Sequence, residues 1–449
     1  MKEKNTIIKG ATYLGVSTFI AKLLGAIYRV PLTNLLGSYG LGIYQMVFPL
    51  YSLLLDFSGA GVPSALSRLI SKSTDKYAKA NQYLNVSLRL FFVFGLIATG
   101  VMACFSGVIA RLQGDLNARL AYLYLSPAIL FVSFISCFRG YFQGFMNMKP
   151  TAISQIIEQF VKLILGVILV SLFMPNIEMA VAGATLAITI SEVVALVYLF
   201  LNYKSNKNKL SLTFSYQKQH FFRDSKTIIK TTIPITLVGI MIPFSQVIDS
   251  FLTINILGKY LENATSLYGL LSGVVMTVIN LPVSICYGLA VVAIPSLSSS
   301  KTQTETNKKG LKIILLTIAF SLSALIFLVI FAPFSINLLY SRLNQSEKVV
   351  AIALLRLTSP CVVLLSLVQA TNAILIGRGR LYTPVLTLLF GVVIKTILNI
   401  LLLSNVNMNI YGGAIAIIAC YFFVCLVNLI LLRAKGTKNE NKSTFDCQY

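Results

Sequence analysis

The sequence predicts an all-α polytopic membrane protein of about 12 transmembrane helices in two six-helix, pseudo-symmetric lobes, both termini cytoplasmic. Three observations carry that expectation. Hydrophobic residues make up 56% of the 449 and charged residues only 11%. The apolar runs recur at a length that fits a bilayer, and strings in the second half repeat strings in the first. A water-soluble domain of this size needs far more charged surface. Apolar runs of about 20 residues match a hydrocarbon layer of about 30 Å. They are too long for barrel strands, and a helix satisfies its own backbone groups in lipid.

Taken in order, the spans fall near 7–35, 42–67, 84–110, 119–138, 151–174, 179–202, 228–256, 267–297, 311–334, 349–374, 383–404 and 409–432. The opening "MKEKNTIIKG" has no cleavage signal and leads into a retained first helix. With the N-terminus inside, cytoplasmic segments hold 26 of the 37 Lys and Arg, and external loops hold five: Arg111, Arg119, Lys259, Arg342 and Lys348. That bias sets the orientation. It also accounts for most of the net charge of +23, so a nucleic-acid partner is not expected. The one long connection divides the chain into an N-lobe (1–203), a linker (204–226), a C-lobe (227–433) and a tail (434–449).

The halves repeat. "TIIK" at 6–9 returns at 227–230, and "NLLGSY" at 34–39 meets "NILGKY" at 255–260, both at offset 221. After an insertion, "VPSALS" at 62–67 meets "IPSLSS" at 294–299, and "VKLIL" at 161–165 meets "IKTIL" at 394–398. "AGATLAI" at 182–188 pairs with "GGAIAII" at 412–418. An even number of helices per unit makes the repeats parallel, with a cleft between them near the membrane midplane.

Ten charges lie within spans: Lys22, Arg29, Arg89, Lys162, Arg356 and Lys395, with Asp56, Glu158, Glu192 and Asp249. A central charge costs roughly 2.5–3.5 kcal/mol on insertion, so it faces protein or water and marks a candidate site. Lys22 and Arg29 are almost two turns apart on one face of the first helix. They form a cationic wall for an anionic substrate, with Asp56 at similar depth holding them or competing with that substrate. At offset 221 the second lobe replaces Lys22, Gly25 and Arg29 with Pro243, Gln246 and Ser250, so the cations belong to one lobe only. Pro243 is expected to kink the seventh span. Glu158 and Lys162 read as a self-neutralising i,i+4 pair. Lys395 occupies the equivalent position to Lys162 without that acid. Arg89 and Arg356 sit close enough to span ends to snorkel. Arg68 marks a cytoplasmic end and a second contact for substrate. Glu192, Asp249, Gln246 and Pro243 are the candidates for ion coupling or gating. One histidine and seven scattered cysteines offer no metal-ligand spacing, and no phosphate-loop motif is present. No cofactor is expected; the driving force would be the membrane potential, a monovalent cation or the substrate's own gradient.

The segment "AKLLGAIYRVPLTNLLGSYGLGIYQ" with "FPLYSLLLDFSGAGVPSALSRLISK" resembles the polysaccharide-transporter branch of the multidrug/oligosaccharidyl-lipid/polysaccharide exporter superfamily. Its members include stage V sporulation protein B-like proteins and MurJ-type lipid II flippases. The matching residues are Lys22, Leu24, Gly25 and Arg29, then "G-x-G-x-Y-Q" at 40–45 and "G-V-P-S-A-x-S-R" at 61–68. The resemblance implies alternating access around a cationic cavity. There an undecaprenyl pyrophosphate-linked saccharide, either lipid II or a polysaccharide repeat unit, turns its headgroup outward, with Lys22 and Arg29 meeting the pyrophosphate. It also implies a non-enzymatic, monomeric, multi-pass plasma-membrane protein serving envelope or spore-cortex synthesis, with envelope-synthesis enzymes as candidate partners. Two departures stand out: MurJ-type members carry further cations in spans two and eight and have fourteen spans. Two alternatives are a cation-coupled multidrug antiporter on the same fold, which would rely on Asp56, Glu192 and Asp249, and a non-transporting scaffold.

Overall fold

The computed structural model describes residues 2–73, 76–205, 218–286, 303–377, 380 and 382–433, and helix is the regular structure throughout them. Ten helices are long and apolar enough to cross a membrane, and a pair at Gln345–Thr358 and Pro360–Ile376, bent by 46°, forms an eleventh. The first of the ten is in fact two. The run Lys2–Leu55 breaks at Gly37, whose φ of 66° and ψ of −173° reverse the chain at small steric cost. The described residues therefore supply twelve crossing segments. They are α1 (2–36), α2 (38–71), α3 (Lys76–Cys104), α4 (Arg119–Gly144), α5 (Lys149–Phe173) and α6 (Ile177–Ser205). The second half continues with α7 (Lys218–Leu257), α8 (264–286), α9 (Gln303–Ile330), α10 (345–377), α11 (Thr383–Leu403) and α12 (Asn409–Arg433).

Several boundaries differ from the sequence reading. α4 runs to Gly144 rather than ending near 138, because Tyr141 and Phe142 are buried and continue its packed face. α7 begins at Lys218, inside the expected linker, and is one helical run through Pro243. Residues 206–217, 434–449 and the expected end of span eight beyond Cys286 lie outside the described residues. Short helices at Ser106–Leu112 and Ala332–Leu339 follow α3 and α9. α2 contains a wide π-turn at Asp56–Ala60.

The two halves pack by one scheme. In the first, α5 lies on α6, α4 on α6, α3 on α4 and α1 on α5; in the second, α11 lies on α12, α10 on α12, α9 on α10 and α7 on α11. Each half buries its own apolar core, around Leu125 and Ile129 in the first and Val274 and Leu354 in the second.

α2 forms the seam between the halves, and glycines set its thickness. A Cβ on Gly42 would stand 2.1 Å from the Thr265 carbonyl oxygen of α8, and one on Gly269 would stand 2.2 Å from the Ser38 carbonyl oxygen. Lower on α2, a Cβ on Gly61 would meet the Thr232 carbonyl oxygen of α7 at 2.8 Å. The "G-x-G-x-Y-Q" and "G-V-P-S" strings are thus lines of backbone-to-backbone approach. Gln45 continues the first by donating from Nε2 to the Ser272 carbonyl oxygen at 3.0 Å.

Beyond the seam, at the end away from both termini, the halves grip each other reciprocally. Asn34 Nδ2 donates to the Leu339 carbonyl oxygen at 2.9 Å, and Asn255 Nδ2 donates to the Leu112 carbonyl oxygen at 2.9 Å. Each asparagine, an offset-221 repeat mate of the other, satisfies the last carbonyl of the short helix in the opposite half. Thr265 Oγ1 donates to Asp115 Oδ2 at 2.9 Å, and Ser38 donates to Glu347. At the end carrying the termini, Gln82 donates to Asp224.

Candidate substrate cavity

A cavity of about 420 Å³ lies between α1, α2, α4 and α5 on one side and α8 on the other. Three cationic side chains line it, Arg29, Arg139 and Lys162, against one carboxylate, Glu158. The α1 face contributing Arg29 also contributes Thr18 and Gly25. Gly25 gives α5 room: a Cβ there would approach Gln159 Oε1 at 3.3 Å. Lys22 lies on this helix between lining residues Ala21 and Gly25, and its side chain is outside the described residues.

Arg29 reaches across the cavity. Its Nη1 donates to Thr277 Oγ1 of α8 at 2.8 Å, a neutral partner that leaves the guanidinium charge uncompensated. Lys162 makes no hydrogen bond or ion pair among the described residues; Glu158 and Glu192 attract it across a distance and Arg29 repels it. The expected Glu158–Lys162 pair does not form. Glu158 Oε2 instead accepts from Arg139 Nη2 at 3.0 Å, and Arg139 Nε donates to Ser154 Oγ at 3.0 Å. A guanidinium fork with a second acceptor outcompetes an i,i+4 contact worth only about 0.3–0.5 kcal/mol. Freed of its acid, Lys162 becomes a cavity cation.

The other expected residues scatter. Asp56 is not brought to this cavity; it faces α7, where a Cβ on Gly239 would stand 3.6 Å from its Oδ2. Asp56 follows the lining residue Phe48 by eight positions, a net rotation of about 80° at 3.6 residues per turn, which carries its carboxylate off the cavity face. Arg68 is exposed in the last turn of α2, and Arg89 and Arg356 are exposed on α3 and α10. Glu192 is buried on α6 within electrostatic reach of Glu158, Arg139 and Lys162. On α7, Gln246 is exposed and Pro243 buried. Asp249 pairs with Lys395, so the lysine expected to lack an acid has one supplied by another helix. Sequence reasoning missed Arg139, assigned to a cytoplasmic turn, and the cavity polar residues Gln155, Thr277 and Asn280.

A second cavity, also about 420 Å³, adjoins the first and is apolar. Leu23 of α1, Ile285 of α8, Phe327 of α9 and Phe334 and Leu338 of the following short helix line it. Ala26, Leu281 and Ser284 line both, so at α1 and α8 the charged chamber borders an apolar groove on the bundle's flank.

Comparison with known proteins fits this arrangement. Residues 7–301 match the family model "Polysaccharide biosynthesis protein". The chain belongs to that family. Residues 287–447 also match the model for the lipid II flippase MurJ. Among curated relatives, stage V sporulation protein B of Bacillus subtilis (strain 168) is 27% identical over 445 residues, covering 95% of this chain and 83% of that one. Lipid II flippase MurJ of the same organism is 26% identical over 460 residues, covering 95% and 82%. Among solved structures, the inward-facing conformation of a multidrug resistance MATE family transporter of the MOP superfamily superposes with a TM-score of 0.76 at 17% identity, covering 95% of this chain and 97% of that one. Family membership and the apolar helices make this a multi-pass cell-membrane protein.

Proposed function

We propose that this family member is a non-enzymatic flippase for an undecaprenyl pyrophosphate-linked saccharide, the substrate entering from the end that carries both termini. The expected bias of Lys and Arg toward that end would make it the cytoplasmic one. The observation that carries the reading is the contact between a chamber lined by Arg29, Arg139 and Lys162 against the single carboxylate Glu158 and an apolar groove beside it. A ligand that fills both has a multiply anionic head and a long hydrocarbon tail. Arginine suits a diphosphate through paired, charge-assisted hydrogen bonds, and lysine through point charge. The relatives named for lipid II flipping and for spore formation support the substrate class.

The same geometry weighs against a cationic drug as substrate. Of the acids such an antiporter would use, Asp249 is committed to Lys395, Asp56 faces α7, and Glu192 is buried on α6 outside the cavity lining, within electrostatic reach of Arg139 and Lys162. Outward movement of a fluorescent undecaprenyl pyrophosphate disaccharide in proteoliposomes tests the proposal. Arg29→Ala and Lys162→Ala should each lower the rate at least about tenfold, the loss expected for one charge-assisted contact of about 1.5–3 kcal/mol. Unchanged rates with both variants well inserted would remove the cationic chamber from the mechanism.

A further inference from the structure

The charged chamber changes character along its length. α1 and α5 start at the end that carries the termini, and α8 runs toward that end from Thr265. Lys162 is therefore about 10 Å farther from it than Gln155, two turns back along α5. On α8, Thr277, which accepts from Arg29, is farther from it than Asn280 and Ser284. Arg29 and Lys162 thus mark one level, and neutral polar side chains line the stretch nearer the termini. Between the two levels Arg139 and Glu158 match each other's charge, and Gln159 Nε2 donates to Glu158 Oε1 at 2.9 Å.

The neutral stretch holds hydrogen-bonding groups in want of a partner. Gln155 Oε1 accepts from Ser17 Oγ at 3.3 Å and Thr18 Oγ1 at 3.4 Å, and its amide N–H groups are left with no acceptor among the described residues. Asn280, on the opposite wall, is exposed, and its amide makes no hydrogen bond among them. A free carboxamide offers two donors and an acceptor. Phe48 of α2 lines the same chamber, stacked on Tyr44 with ring centroids 5.9 Å apart and planes 22° from parallel. The repeat shows that packing does not require these amides. At offset 232 Asn280 corresponds to Phe48, and at offset 233 Gln155 corresponds to Leu388. The shared plan accepts an apolar side chain at both positions.

We propose that Gln155, Asn280 and Phe48 form a saccharide subsite that selects an uncharged sugar joined directly to the diphosphate, an inference that rests on the lipid diphosphate reading above. With the diphosphate against Arg29 and Lys162, the first sugar falls at the level of the two amides. A pyranose carries hydroxyls around its rim and C–H groups on its faces. Its rim meets the free donors of Gln155 and the amide of Asn280, and one face lies on the broad apolar surface of Phe48. A few placed polar groups beside an aromatic wall are what orient a ligand in such a pocket. Because Arg139 and Glu158 are matched, this level holds no spare charge for an acidic or basic sugar.

The test titrates the full purified chain in detergent with two probes: undecaprenyl pyrophosphate, and the same lipid bearing one uncharged hexose. The wild-type protein should bind the glycosylated lipid about tenfold more tightly, the yield of two hydrogen bonds. Asn280→Leu, which removes no hydrogen bond among the described residues, should cut that preference about threefold, and Gln155→Met/Asn280→Leu should abolish it. Arg29→Ala should weaken both lipids by one common factor and keep the preference. A wild-type protein that binds the two lipids equally would overturn the subsite while the proposed function stands. So would a full preference that survives in Asn280→Leu and in the double variant. A wild-type protein that binds neither lipid removes the proposed function, and the subsite with it. The wild-type comparison needs no variant and decides the matter even where the double variant does not fold.

Discussion

The two halves share one packing scheme and treat their equivalent lysines in opposite ways. In the C-lobe, Lys395 is buried against Asp249 and Ser245; in the N-lobe, Lys162 lines a cavity with no ion pair among the described residues, attracted by Glu158 and Glu192 at a distance and repelled by Arg29. The difference comes from neighbouring helices. α7 supplies Asp249 where α1 supplies Tyr28, and α4 supplies Arg139 to draw Glu158 away from Lys162. A buried ion pair fixes geometry and contributes little net stability. An unmatched cation in a water-accessible chamber raises electrostatic energy until an anion arrives. One lobe thus holds its lysine in an ion pair, and the other holds Arg29 and Lys162 on a cavity wall.

Substitutions can break that contrast in a definite order. Asp249→Asn alone strands a buried ammonium and should cost about 3–5 kcal/mol of stability, read as a lowered denaturation midpoint. Lys162→Ala removes no partner and should leave that midpoint within about 0.5 kcal/mol, as for an unpaired surface group. Its effect should appear as weaker binding of a diphosphate lipid headgroup, by about 10- to 100-fold in titration calorimetry. Glu158→Gln sharpens the comparison from the other side: with Arg139 released, the chamber gains a free cation, and headgroup affinity should rise in the same assay. Gly42→Ala inserts a methyl group into the α2–α8 seam, a strain of about 1–3 kcal/mol. It should shift spin-label distances between the halves while each half keeps its fold. Asn34→Ala and Asn255→Ala are the mildest, each removing a hydrogen bond worth about 0.5–1.5 kcal/mol at the closed end. Either should raise accessibility of a cysteine probe there by several-fold, and equal effects would confirm that the two asparagines act as mates.

Much of this architecture was legible from residues alone. The twelve crossings followed from apolar length, and the repeat was visible in "NLLGSY" and "NILGKY", although their asparagines' cross-half grip needed coordinates. Arg29 was found because a cation in a long apolar run has few bland explanations. Partners were harder, because depth along a helix can be counted but azimuth cannot. Asp56 points to Gly239 of α7 and away from the cavity. Glu158 had a lysine at the right spacing, and a better donor arrived from a helix 19 residues upstream. Arg139 escaped notice because the apolar run stops just before it, whereas the helix does not.

The border between chamber and groove at Ala26, Leu281 and Ser284 has a consequence for energetics under the proposed function. A tail that never leaves hydrocarbon adds no desolvation work as it lengthens, so the barrier to crossing is set by the headgroup alone. Lipids differing by several isoprene units should therefore move at nearly one speed, whereas an added sugar or phosphate should change it.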